Sequence, residues 1–367
     1  MSKGSIRLFS AALALGMPLG VGAASAAPTA DRAAPVTIAT GLNNPRQLSF
    51  SGAALYVAES GVGGSGPCIQ GGEGQACFGR TGAITKIVGT TATRVVTGLP
   101  SIAGAGGFGA SGPSDVQVSA GTYRISLGLG ADPALRAGLP AAGPRLGTIA
   151  TGRLGSAMAT TVADLAAYEG AKDPAADGPD SNPSALGPMN LTVDAGANAL
   201  LRASARGKMA VVATFPSRMV PKPPFLGEGE MPMQSVPTSV AVGPDGAYYV
   251  SELTGFPFPA GGARIWRVVP GQTPRVYATG LTNVTDLAWA GNRLYAVQIA
   301  DGGLLSVPEG ELPMGSLVEV RRSGPRTVAA NLTAPYGVAV KGANAYVTTC
   351  GMCAGMGAVV RIPLAGS

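Results

Sequence analysis

The sequence predicts an all-β protein, a six-bladed β-propeller closed by an N-terminal strand that completes the last blade. Three observations carry this reading. Gly (56) and Pro (30) punctuate many short Val-, Ile- and Tyr-containing runs, the pattern of turns between short strands. Four strand types recur in a fixed order, and the clearest of them recur six times. Hydrophobic content of 46% separates the chain from Gly- and Pro-rich disordered sequences.

The elements follow in order. Lys3 and Arg7 give a positive start, Leu8 to Val21 supply an apolar stretch, and Ala24-Ser25-Ala26 offers a small-x-small cleavage site. Residues 1–26 therefore read as a secretory signal peptide, with an uncleaved anchor as the alternative. Residues 27–35 read as a short linker and residues 36–367 as one propeller domain. Gly, Pro or charges interrupt every later apolar run, so no transmembrane segment is expected after cleavage. The expected location is secreted, periplasmic or otherwise extracytoplasmic.

The first repeat unit is a β-branched run: Val36 to Leu42, Arg94 to Leu99, Thr161 to Leu165, Met209 to Phe215, Arg275 to Leu281 and Arg326 to Leu332. A second strand follows each run, usually opened by Pro: Pro45 to Phe50, Pro113 to Val118, a degenerate copy near Asn182-Pro183, Pro237 to Val242, Val284 to Trp289 and Pro335 to Val340. A third type is clearest at Leu55 to Glu59, Tyr248 to Glu252, Leu294 to Gln298 and Ala345 to Thr349. A fourth recurs at Gly82 to Ile87, Leu146 to Ile149, Ala199 to Arg202, Ala263 to Arg267, Ser316 to Val320 and Ala358 to Ile362. A four-stranded sheet apolar on both faces must pack against a neighbour on each side, which a radial ring satisfies. The chain opens with a spare outer strand at Val36 and ends one strand short of a full blade, so pairing the two hides both edges. Uneven spacing places insertions around Gly61 to Arg80, Ala131 to Arg145 and Ala171 to Pro183, and a Pro- and Met-rich loop at Ser217 to Gln234. A pair of β-sandwiches is the alternative fold.

Composition narrows the chemistry. The chain contains no His, which excludes Ser-His-Asp and Cys-His catalysis and His-ligated zinc. Loss of the leader leaves 24 basic and 20 acidic residues, an excess too small and scattered to expect nucleic acid as a partner. The Gly-rich runs at 63–66 and 104–109 lack the strand-to-helix context of a phosphate loop. Met219, Met231 and Met233 read as loop packing rather than as soft-metal ligands.

Several segments resemble the ScyD/ScyE family of exported propellers, whose architecture is related to NHL-repeat and gluconolactonase-like propellers. They are Gly79 to Ile87, Leu127 to Pro133, Val162 to Glu169, Asp180 to Pro183, Asp194 to Arg202, Val236 to Val268 and Cys350 to Gly357. The resemblance spans nearly all of the mature chain in order and implies export and a propeller, with no established reaction. Two departures stand out. Ser114 occupies a place where a polar aromatic residue or His is expected, and Ala185 to Asn190 is an unusual version of its strand.

Four cysteines in an exported chain favour disulfides. Cys68 and Cys77 bracket a Gly-rich insertion, and Cys350 and Cys353 form a C-x-x-C pair. Three arrangements fit, in order of preference: two local bridges, bridges between the first and last blades, or a four-thiolate metal or redox centre. Aligning the repeats places Glu59, Asp194, Glu252, Gln298 and Thr349 at equivalent strand ends, a candidate polar collar near the channel mouth. Glu59, Asp194 and Glu252 with neighbouring oxygens suit a hard cation such as calcium, the one cofactor the sequence brings forward, or acid and base roles. The competing reading is that these acids brace loops between blades. Two functions remain: a non-catalytic binding or scaffold propeller for a small-molecule, cell-envelope or protein partner, and a calcium-type hydrolase, lactonase or accessory enzyme of exported secondary-metabolite biosynthesis.

Overall fold

A computed structural model of the chain describes residues 34–71, 74–204 and 206–364. The expected leader, 1–26, lies outside these residues. Among them, six sheets each hold a four-strand antiparallel meander. From blade 1 to blade 6, the inner strands are Pro45–Ser51, Pro113–Ser119, Pro183–Leu186, Pro237–Val242, Val284–Ala290 and Val338–Lys341. The last sheet is completed by the N-terminal strand Val36–Leu42, which pairs antiparallel with Gly357–Pro363 through Val36 with Arg361 and Leu42 with Gly357. The six-bladed ring closed by its own N-terminus is therefore present as expected.

In blades 1, 3 and 4 the second strand, Ala54–Glu59, Leu191–Asp194 and Tyr248–Glu252 respectively, is buried along its whole length, because neighbouring sheets cover both of its faces. Apolar clusters fill the six spaces between blades. One unites Tyr56, Ile84 and Val96 of blade 1 with Val116, Tyr123 and Ile125 of blade 2. Another unites Leu42 and Val359 of blade 6 with Leu48, Leu55 and Val57 of blade 1. Burial of such side chains contributes about 1.5–3 kcal/mol each, so the closing interface is held by the same force as the others.

The Thr-Gly-Leu ending of the outer strands has a backbone cause. Gly41, Gly98 and Gly280 adopt φ of 76°, 79° and 77°, and each sits at a register shift where the outer strand bulges by one residue. Asn331 holds the same place in blade 5 with φ 56°. Asn is among the few residues that tolerate this left-handed conformation.

Four alternating strands put the second-to-third connections and the blade-to-blade connections on one face. All the insertions lie there. The blade 1 insertion extends its third and fourth strands to Gly74–Val88 and Thr91–Ala103 and adds the strand Cys68–Gly71. The region beyond blade 2 forms the helix Leu165–Lys172, whose first turn is capped by Asp164 accepting from the Ala167 N–H. The Pro- and Met-rich loop is a hairpin of Arg218–Pro221 and Glu230–Met233. A further cluster of Ile69, Phe78, Ile102, Leu129, Leu139 and Leu146 packs beneath the insertions of blades 1 and 2. Both disulfides are local, Cys68 to Cys77 across the added hairpin and Cys350 to Cys353. The Cys350–Cys353 loop meets blade 1 through its Cys353 carbonyl, which accepts from the Asn44 N–H at 2.8 Å. No helix among the described residues is long and apolar enough to cross a membrane.

Candidate functional site

A cavity of about 570 Å³ opens on the loop-bearing face, over the start of the inner strands. Arg46, Ser114, Ser184, Thr238, Thr285 and Tyr336 line it. Each follows the residue that opens its blade's inner segment, so each blade contributes one. The extended fourth strand of blade 1 supplies the apolar wall residue Ile102, and the connections supply Phe108, Leu129, Val236, Leu253, Leu304 and Met352.

The floor hydroxyls chiefly tie neighbouring blades together. Thr238 donates to the Val284 carbonyl at 2.7 Å, Thr285 to the Tyr336 carbonyl at 2.6 Å, and Ser184 to the carbonyls of Val193 and Pro237. Ser114, the departure noted in the sequence, donates to the Gly112 carbonyl at 3.1 Å. Three polar groups are less committed. Arg46 donates through Nε to Ser60 and through Nη2 to the Ala110 carbonyl, while its guanidinium lies 4.4 Å from the Tyr336 ring centroid. These bonds leave its Nη1 without a hydrogen bond to the described protein. The Tyr336 hydroxyl and the Asn182 side-chain amide are likewise unbonded there. Asn182 is seated over Gly128, where an added Cβ would come within 2.5 Å of its Oδ1.

Beneath this level the ring is stitched by two fully buried carboxylates. Asp115 accepts from the N–H groups of Val116 and Leu186, and Asp286 from those of Leu287 and Val338 and from the Ser239 hydroxyl. They belong to blades 2 and 5, on opposite sides of a six-membered ring. Burial outweighs the donors and pushes each up to about 7. Gln47 of blade 1 donates to the Thr238 carbonyl of blade 4 at 3.0 Å, spanning the centre at the same height.

The predicted collar residues do occupy equivalent positions. Glu59, Asp194, Glu252 and Gln298 pair with Pro45, Pro183, Pro237 and Val284, the first residues of their inner strands. The structure nevertheless does not bring them together, and none of them lines the cavity. Each is occupied within its own surroundings. Glu59 is paired with Arg94 at 2.8 Å and accepts from the Asn43 N–H and the Thr85 hydroxyl. Glu252 accepts from Arg218, the Ser235 hydroxyl, the Arg264 N–H and the Trp266 indole N–H. Asp194 accepts from the Ser181 hydroxyl and the N–H groups of Asn182 and Ala197, and burial still raises it to about 6. Gln298 bonds to the Thr282 N–H, Asp301 and Ser316. The Glu59, Asp194 and Glu252 calcium arrangement expected from the sequence is therefore not assembled, and these groups brace loops instead. Among the described residues no three His, Cys, Asp or Glu side chains converge on a position a metal could take.

Sequence reasoning missed Arg46, Asn182 and Tyr336. For Arg46 and Tyr336 the signal was present, because the residue after each inner segment's first residue forms a ring as regular as the collar; Asn182 lies outside that ring. It also missed Glu169, which lies in a buried acidic region and is pushed to about 8 by burial and by Asp194, Asp173, Asp177 and Asp180.

Comparisons with known proteins bear on the fold. No protein-family description and no curated protein matches the chain. A structural genomics protein of unknown function from Bacteroides thetaiotaomicron is similar over 89% of this chain and 75% of its own, with a TM-score of 0.50 and 8% identity. A putative oxidoreductase (glucose dehydrogenase) from Thermus thermophilus overlaps 90% of this chain and 99% of its own, at a TM-score of 0.47 and 16% identity. A catalytically inactive virginiamycin B lyase from Staphylococcus aureus with quinupristin overlaps 90% and 98%, at 0.42 and 10%. Such identities speak to architecture alone.

Proposed function

We propose that this protein is an exported, non-catalytic binding propeller that takes a small molecule in the cavity of its loop-bearing face. One observation carries the reading: Arg46 Nη1, the Tyr336 hydroxyl and the Asn182 amide remain free in a cavity whose wall mixes apolar loop residues with polar ones. A concave, largely apolar site with a few uncommitted polar groups is the usual form of a small-molecule site. The Arg46 and Tyr336 pair fits a ligand with a carboxylate or carbonyl on a flat apolar body. The floor hydroxyls serve backbone carbonyls rather than a base, which favours binding over nucleophilic catalysis. Export is supported by the leader-like start and by the pairing of all four cysteines. The segment-by-segment resemblance to ScyD/ScyE propellers supports the assignment of export.

The test is a thermal-shift and calorimetric screen of the mature secreted chain against aromatic carboxylates and lactones, followed by Asn182→Ala. The Asn182 amide makes no protein hydrogen bond, so this variant should keep its Tm and lose roughly tenfold in affinity, the worth of one or two hydrogen bonds. A ligand whose affinity is unchanged in Asn182→Ala, or turnover of any lactone or ester, would overturn the reading.

A further inference from the structure

We infer that the segment after blade 2 holds a hard divalent cation of the calcium class, anchored by Glu169, and that the bound ion fixes one wall of the cavity. Glu169 lies on the helix Leu165–Lys172 and is 1% exposed, and neither of its carboxylate oxygens has a partner. Four further carboxylates surround it electrostatically: Asp194, Asp173, Asp177 and Asp180. Asp180 Oδ1 is also buried without a partner. The chain has more basic than acidic residues, 26 against 20. Even so, the ion pairs of the described residues include none of these five acids.

The local structure holds this arrangement in place. Asp173 closes the helix through its N–H to the Glu169 carbonyl at 2.8 Å, and its carboxylate receives the N–H groups of Asp177 and Gly178. Asp177 accepts from Asn198 at 2.9 Å and from Gln234 at 3.2 Å, which ties the segment to blade 3 and to the hairpin before blade 4. Gly196 abuts Asp180, since a Cβ there would come 2.8 Å from Asp180 Oδ1. These bonds satisfy Asp173, Asp177 and Asp194 and leave Glu169 and Asp180 with free oxygens.

A buried carboxylate that accepts no hydrogen bond costs several kcal/mol, and four like charges add to that cost. A cation relieves both. Calcium takes 6–8 oxygens and readily completes its shell with carbonyls and water, so it does not need three converging carboxylates. Sites of extracellular modules bind at about 10⁻⁴–10⁻³ M, which matches the exported location proposed above. Asp180 and Asn182 line the cavity, so an ion in this segment would steady that wall.

The experiment uses the mature chain freed of metal with a chelator, with calcium itself as the probe. Calcium titrated to millimolar concentration should raise Tm by at least about 2 °C and give a saturable heat. Magnesium should do markedly less. Glu169→Gln should abolish the calcium shift while the metal-free Tm stays level or rises, because Gln keeps the size of the side chain and cannot carry a charge beside the other acids. Asp180→Asn should weaken calcium binding at least fivefold, and it carries the test should Glu169→Gln fail to fold. No calcium shift in the unmodified chain, an equal shift with magnesium, or a full shift retained in either variant would overturn the inference. None of these outcomes touches the cavity reading, whose readout is ligand affinity in Asn182→Ala.

Discussion

The two faces of the ring are made from the ends of the same strands, yet they use their polar groups differently. On one face the connections are tight turns, such as 52–53, 120–121 and 342–343, and they do little beyond reversing the chain. The other face carries the extended hairpin of blade 1, the short helices and acidic segment around blade 2, and the hairpin before blade 4. The cavity opens there, and so do the unpartnered carboxylate oxygens of Glu169 and Asp180. Within this face a second division appears. The strand-end acids Glu59 and Glu252 are saturated with donors, whereas Arg46, Asn182 and Tyr336 keep bonding capacity. Position in the repeat does not separate brace from site; the partners do.

The largest expected effect comes from breaking a brace. Glu252 is fully buried and binds Arg218, which lies in the hairpin before blade 4. Glu252→Ala would strand Arg218, Ser235 and the Trp266 indole N–H together. It should cost about 3–5 kcal/mol, the usual penalty for removing one partner of a buried ion pair. Urea denaturation followed by tryptophan fluorescence would measure this, since Trp266 reports on the site directly. A loss under about 1 kcal/mol would mean that the collar acid is not a brace.

A smaller effect distinguishes the stitching of the ring from its surface charges. Asp286 ordinarily titrates at 3.8 and is pushed to about 7, so the folded chain binds its proton more tightly than the unfolded chain. Its contribution is greatest in acid and declines as pH rises from about 4 to about 7, then stays level. Asp115 behaves alike. Glu319 has the opposite sign, because Arg321 and Arg326 hold it down at about 2, so its contribution disappears only as pH falls from about 4.5 toward 2. Denaturation between pH 4.5 and 7 therefore isolates the raised acids. Asp286→Asn should make that slope visibly shallower, and an unchanged slope would show that Asp286 is ionised throughout.

The fold was legible because its requirements are local. A bulged outer strand needs Gly or Asn at one position, and Gly41, Gly98, Gly280 and Asn331 supply it. Inner segments opened by Pro and continued by alternating apolar residues were equally plain at Pro45, Pro113, Pro237 and Pro335. Blade 3 was the faintest, and its inner strand is indeed only Pro183–Leu186. The helix Leu165–Lys172 was not foreseen, since eight residues give little periodicity and its capping Asp164 was read with the preceding strand. The site was less legible for a different reason. Whether an acid braces or binds depends on distant donors: Arg94 lies 35 residues from Glu59, and Arg218 lies 34 from Glu252. Repeat alignment found these acids and left their partners unseen.

The smallest effect sharpens the comparison of faces through two glycines. Gly52 lies in a tight turn with φ 58° and has open space where a Cβ would go. Gly52→Ala therefore incurs only the cost of a left-handed backbone, about 1 kcal/mol, and should leave ligand affinity untouched. Gly128 has no such φ, but its added Cβ would meet Asn182 Oδ1 at 2.5 Å. Gly128→Ala must move a cavity side chain, so its main effect should fall on affinity, at roughly tenfold, with Tm lowered by no more than Gly52→Ala lowers it. Measuring Tm and ligand affinity for both variants crosses the two readouts. If Gly128→Ala lowers only stability, Asn182 is part of the scaffold and the cavity wall must be assigned to other groups; if Gly52→Ala alters affinity, the turn face is coupled to the cavity through the ring.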